Sequence, residues 1–232
     1  MILCIETATN ICSVSLCHNS NVISIRESRE DKSHSSTLTV FIKEILKENK
    51  ITPDVLDAVS VSKGPGSYTG LRIGISVAKG IAYASGLPLI AISTLFSMYH
   101  GIRTLTDFDY YCPMIDARRM EVYSAVYDRN GTGIKQISAE VIEKGIYDDI
   151  LSMGRVLFFG NGAGKCRGII DHDNAVIKDD FSLSAEYLCA PSLEALNKEE
   201  FVDLAYFEPY YLKDFIATVP KKNIPGITGF NK

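Results

Sequence analysis

Gly64-Pro65-Gly66-Ser67-Tyr68-Thr69-Gly70-Leu71-Arg72-Ile73-Gly74 runs on into Ile75-Ser76-Val77-Ala78-Lys79-Gly80-Ile81-Ala82-Tyr83-Ala84-Ser85-Gly86. The first three residues suit a strained loop, because glycine admits positive φ and proline fixes its own. From about Thr69 the pattern predicts a helix, with Ser67 or Thr69 as its N-cap, Gly86 as its C-terminal cap and Pro88 just beyond. Within it Gly70, Gly74, Ala78, Ala82 and Gly86 recur at every fourth residue, a slowly winding ridge with almost no side chain. Each interior glycine costs a helix about 1 kcal/mol relative to alanine. Close approach of another backbone would offset that cost. That backbone could belong to the same fold or to a partner.

Working outward, Ala58 to Ser62 reads as a strand feeding the loop, Leu89 to Ile92 as the next strand, and Thr94 to about Arg103 as another helix. Upstream, residues 2–5 are a short apolar run, Ile11 to Cys17 alternates as a half-buried strand, and Val22 to Arg26 follows a turn. Leu38, Phe41, Ile42, Ile45 and Leu46 then form the stripe of an amphipathic helix. The order β-β-β-α-β-α-β-α predicts an α/β, ribonuclease-H-like lobe with a mixed sheet. The second half repeats it: strands at 112–115, 121–127 and 134–141, a short helix at 144–151, and a strand at 156–159. The loop Gly160-Asn161-Gly162-Ala163-Gly164, a short helix, a strand at 175–177 and a helix from about Ser184 to Leu196 complete it. The expected division is a lobe at 1–106, a second at 107–217, and a flexible tail at 218–232. Glu6 and Asp116 fall at equivalent ends of the two first strands.

Composition narrows the function classes. The chain has 232 residues, 46% hydrophobic and 22% charged, enough for a sizeable core. A net charge of −4 with only Arg118-Arg119 and Lys221-Lys222 as basic spots argues against autonomous nucleic-acid binding. The six cysteines include no Cys-x-x-Cys pair, so they read as reduced, structural thiols. No apolar run approaches the ~18 residues of a membrane span, and the start lacks a signal peptide's pattern. The expectation is a cytoplasmic protein.

Chemistry-bearing motifs are sparse. Gly64-x-Gly66-x-x-x-Gly70 is one residue too long for a dinucleotide fingerprint, and the loop before Lys165-Cys166 lacks the Walker serine or threonine. His34 has Leu38 at i+4 where a helical metal pair needs a second imidazole. Ser67 lacks a nucleophile elbow and reads as a helix cap. Glu6 and Asp116 could face each other across a cleft and hold Mg²⁺–nucleotide. On that reading Thr7, Arg118, Gly160 and Gly162 are the further candidate nucleotide contacts, and the chain would be a small-molecule kinase or ATPase. A metalloprotease, dependent on His34, is the other rival.

The glycine stretch Gly64 to Gly74 closely resembles the signature of the bacterial TsaB (YeaZ) family, in the actin-like ATPase superfamily. Ile5-Glu6-Thr7-Ala8-Thr9, His34 through Ile42, Asp116-Ala117-Arg118-Arg119-Met120-Glu121-Val122-Tyr123, Gly160-Asn161-Gly162-Ala163 and Pro209-Tyr210-Tyr211-Leu212 extend it. Glu6 departs from the aspartate more usual there. The resemblance implies a non-catalytic subunit of the machinery that makes N6-threonylcarbamoyladenosine at position 37 of ANN-decoding tRNAs. It further implies a TsaD-like catalytic paralogue and a TsaE-like P-loop ATPase as partners, a homodimer when alone, and tRNA reached through the complex. It implies no catalytic residue, metal ligand or cofactor of the chain's own, with ATP or ADP a candidate for the assembled complex. The partner interface expected from it comprises His34, Leu38, Phe41 and Ile42 on the first helix. Gly70, Leu71, Gly74, Ile75, Ala78 and Ala82 of the ridge helix complete that interface, in a four-helix bundle.

Overall fold

The structure is a computed structural model that describes residues 1–30 and 34–213. Alternating and continuous apolar runs form two five-stranded sheets. The first contains β1 (Ile2–Glu6), β2 (Cys12–His18), β3 (Asn21–Ser28), β4 (Ala58–Gly64) and β5 (Leu89–Ser93), in the order β3-β2-β1-β4-β5. The second contains β6 (Tyr110–Asp116), β7 (Glu121–Asp128), β8 (Gly133–Val141), β9 (Val156–Phe159) and β10 (Ala175–Lys178), in the order β10-β9-β6-β7-β8. In each sheet the first three strands are antiparallel and the last two join parallel to the first. The two lobes therefore share one topology, the ribonuclease-H-like one read from the element order.

Helices α1 (His34–Glu48) and α2 (Tyr68–Ser85) lie on one face of the first sheet. There Leu38, Ile42, Ile45, Ile75, Ala78 and Ala82 meet Leu3, Ile5, Val14, Leu16, Val59 and Val61. Ser67 caps α2 by accepting from the Gly70 N–H, and Gly86 ends it in the left-handed region, as the residue types require. Helix α3 (Thr94–Ile102) packs toward the second sheet, joining Leu95, Met98 and Tyr99 to Tyr111, Tyr127 and Phe159.

The second lobe carries less helix than its sequence suggested. The helix expected over 144–151 is the short α4 (Asp148–Met153), and the one after the second glycine loop is a single 3-10 turn, Ala163–Cys166. The expected boundary at 107–217 also needs correction. A 3-10 turn, Ala185–Leu188, leads into α5 (Cys189–Asn197), and both pack on the open face of the first sheet against Ile2, Cys4, Ala58 and Ile90. Further on, the Val202 N–H donates to the Leu89 carbonyl, and Leu204 and Phe207 join the first core. The Tyr210 N–H donates to the Lys63 carbonyl. Phe181 and Leu183 still pack with Tyr111 and Phe159 of the second sheet, whereas Ala185, Leu188, Cys189 and Ala195 cover the first. The tail expected at 218–232 lies outside the described residues.

The reading of all cysteines as free thiols is corrected too: Cys17 on β2 and Cys189 on α5 form a disulfide. Cys4, Cys12, Cys112 and Cys166 are free and buried. Among the described residues no helix is long and apolar enough to cross a membrane.

Candidate functional site

The glycine loop and α2 answer to the end of β1. The Ser67 N–H donates to the Ala8 carbonyl at 2.6 Å. A Cβ on Gly70 would collide with the Thr7 carbonyl oxygen, and one on Gly74 with the Thr7 hydroxyl. Ala78 and Ala82 continue the same ridge into the core, fully buried. The backbone that approaches this ridge is thus the chain's own first strand. That corrects the expectation of a partner's helix: Gly70, Leu71, Gly74, Ile75, Ala78 and Ala82 all face inward. Leu38 and Ile42 are buried in the same core, and Phe41 is half-buried against it. His34 is buried as well, its Nε2 3.0 Å from the Thr9 carbonyl oxygen, which ties the start of α1 to the β1–β2 turn.

What the two helices turn outward is a different set. On α2 the exposed residues include Arg72, Ser76, Gly80, Tyr83 and Ala84. Ser76, Gly80 and Ala84 are spaced by four, so they form a second small-residue row on the far side of the helix from the buried one. Gly80 has open space where a Cβ would sit. Beside this row Tyr83 is 82% exposed, and on α1 Val40 is 47% exposed, with Lys43 and Lys47 exposed further along that helix. Sequence reasoning missed this row although its spacing was visible.

The two carboxylates expected at the cleft stand in opposite environments. Glu6 and Thr7 have no exposed surface. One Glu6 oxygen accepts from the Ala8 N–H and the Ser62 hydroxyl, each at 2.7 Å. Burial pushes the carboxyl up to about 7, against the lowering effect of the Ala8 N–H, the Ser62 hydroxyl and the Thr7 N–H. Asp116 is exposed by contrast and salt-bridged to Lys165 Nζ at 2.7 Å. Partial desolvation works to raise its carboxyl. The hydrogen bonds from Lys165 and the Arg118 N–H, with the charges of both residues, outweigh that and hold it below the usual range. Arg118 and Arg119 make a left-handed turn between β6 and β7, with φ of 70° and 49°. Neither has a salt-bridge partner among the described residues.

Gly160 and Gly162 repeat in the second lobe what the first glycine loop does. Added Cβ atoms would meet the Met114 carbonyl and the Ile115–Asp116 backbone, so both glycines serve close approach to the end of β6. The cavity between the lobes, lined by Thr9, Arg29, Asn161 and Phe181 among others, holds about 190 Å³. That is below the ~300 Å³ at which small-molecule sites begin. None of Glu6, Thr7, Asp116, Arg118, Gly160 and Gly162 lines it.

Known proteins resemble this chain over most of its length. Residues 25–186 match the family described as "TsaD: tRNA N6-adenosine threonylcarbamoyltransferase". The chain is 29% identical to the tRNA threonylcarbamoyladenosine biosynthesis protein TsaB of Escherichia coli K12, over 97% of this chain and 98% of that one. It is 30% identical to the TsaB protein of Bacillus subtilis 168, over 91% and 93%. The solved structure of YeaZ from Pseudomonas aeruginosa superposes with a TM-score of 0.79 at 25% identity, covering 91% of this chain and 99% of that one.

Proposed function

The chain belongs to the TsaB family of tRNA threonylcarbamoyladenosine biosynthesis proteins, and we propose that it acts there as a non-catalytic subunit. It docks a TsaD-like catalytic paralogue through the outer faces of α1 and α2. A TsaE-like ATPase joins the pair, and tRNA reaches the chain through the complex. The observation that carries this reading is the exposed row Ser76–Gly80–Ala84 with the exposed Tyr83 beside it, together with the exposed Val40 on α1. Small residues let a second helix approach closely, and aromatic and aliphatic neighbours supply apolar area. The sealed Glu6 and the small cleft support a role in holding a partner over chemistry in this chain. Without the paralogue, the same face pairs two copies of the chain.

Gly80→Arg tests the docking face. Its Cβ enters open space, and arginine is a better helix former than glycine, so the variant keeps its circular dichroism and its unfolding midpoint does not fall. Co-purification with the TsaD-like paralogue is lost, tRNA modification in the reconstituted system is lost with it, and sedimentation shows a monomer. Undiminished co-purification would refute the assignment. Gly74→Arg cannot serve as the test, because its side chain would be driven into Thr7.

A further inference from the structure

Three sulfur atoms meet where α5 lies on the first sheet. The disulfide between Cys17 and Cys189 has Cα atoms 5.7 Å apart. On the neighbouring strand β1, Cys4 places its free thiol 3.7 Å from the Cys17 sulfur. All three Sγ atoms lie within 4.8 Å of one another, fully out of water. The surroundings are polar for a core. Ser15 Oγ is 3.5 Å from the Cys17 sulfur and 3.8 Å from the Cys189 sulfur, and the Ser60 and Ser192 hydroxyls are 2.6 Å apart beside Cys4. A thiol held against one sulfur of a disulfide is the reactant arrangement of thiol–disulfide exchange.

We propose that Cys4, Cys17 and Cys189 form an intramolecular thiol–disulfide exchange site that governs how α5 is tied to the first sheet. The Cys4 sulfur, giving up its proton, attacks Cys17 Sγ. The Cys4–Cys17 bond forms, the Cys17–Cys189 bond breaks, and the leaving Cys189 sulfur takes up a proton. One disulfide and one thiol stand on each side, so no oxidant or reductant is consumed. Ser15 Oγ touches both disulfide sulfurs while giving its own proton to the Ala185 carbonyl, so the proton that Cys4 releases is the one the leaving sulfur takes up. The exchange replaces a link across 172 residues, from β2 to α5, with one across 13 residues between adjacent strands. Helix α5 is then held by packing and hydrogen bonds alone. Burial pushes the Cys4 thiol up to about 12 against the hydroxyls of Ser192, Ser15 and Ser60, so the exchange runs when the α5 seat opens to water.

The test uses the full chain, oxidised with glutathione disulfide, held at pH 8, quenched in acid and denatured. Free thiols are then alkylated at low pH and mapped by mass spectrometry without reduction. The proposal expects label on both Cys4 and Cys189 in the wild type. Cys4→Ser retains only the Cys17–Cys189 pair, while Cys189→Ser closes Cys4–Cys17 and loses the free thiol at both positions. Wild-type label on Cys4 and never on Cys189, even after incubation in sub-denaturing urea, overturns it. That measurement requires no variant to fold. Free Cys4 and Cys17 thiols in a natively folded Cys189→Ser protein under the same oxidant would overturn it equally.

Discussion

Glu6 is the residue at which sequence pattern and environment pull hardest against each other. It ends a strand otherwise made of apolar residues, and its second carboxyl oxygen has no hydrogen-bond partner among the described residues. Burial raises its pKa from 4.5 to about 7, so the folded protein binds a proton that the unfolded chain has released. This group's contribution is therefore fully favourable below pH 4.5 and is lost as pH rises to about 7, a change on the order of 3 kcal/mol. His100 acts with the opposite sign: burial, helped by the Arg103 charge, pushes its pKa down to about 4, so it favours folding as pH rises toward 6.5. Comparing wild type with Glu6→Gln isolates the carboxyl, since His100 is common to both. Gln keeps an oxygen to accept from Ala8 and Ser62. Urea unfolding at pH 5 and pH 8 should show the variant gaining stability relative to wild type at the higher pH, by roughly 1–3 kcal/mol. An equal difference at both pH values would mean that Glu6 stays ionised in the fold.

Of the three glycines in helix α2, Gly70 and Gly80 have opposite meanings, and this makes a matched pair of substitutions. Gly80 faces open space, so Gly80→Ala should stabilise the protein by about 0.5–1 kcal/mol through helix propensity alone. Gly70 sits against the Thr7 carbonyl, a backbone atom that cannot swing away. Gly70→Ala should cost about 1–3 kcal/mol despite the same propensity gain. Chemical denaturation of the two variants decides between them, and a stabilised Gly70→Ala would mean that β1 does not bear on the ridge. The same helix shows what the sequence could tell. Its caps, its length and the four-residue ridge follow from local rules, as do β2, β4 and the apolar stripe of α1. The direction of the ridge did not follow, because spacing defines a face without saying what covers it. A strip of small residues suits an inward strand as well as an outward helix. Resemblance assigned Gly74 and Ala78 to a partner, where packing against Thr7 and the first core places them inside. For α5 the element itself was legible and its sheet was not, since element order alone carries no information on long-range return.

At the scale of the whole molecule, that return binds the chain's late residues to its early ones. Ser15 Oγ donates to the Ala185 carbonyl at 2.9 Å, the Ala185 N–H donates to Ser13 Oγ at 2.8 Å, and Ser60 meets Ser192. The Cys17–Cys189 disulfide lies among these contacts, invisible to any short-range cysteine pattern because 172 residues separate its ends. A cross-link over so long a loop removes much of the unfolded chain's freedom, worth roughly 5 kcal/mol in the chain-entropy account. The folded state loses little on reduction, because the serine hydrogen bonds and the apolar seat of α5 remain. Reduction with dithiothreitol should therefore leave far-ultraviolet circular dichroism unchanged while lowering unfolding free energy by about 2–5 kcal/mol. The urea m-value should rise at the same time, since the uncross-linked chain exposes more surface when unfolded. Coincident urea curves with and without reductant would show that the two cysteines pack as thiols. A reduced protein that loses helical signal would show that the covalent link, and not the packing around it, seats α5 on the first lobe.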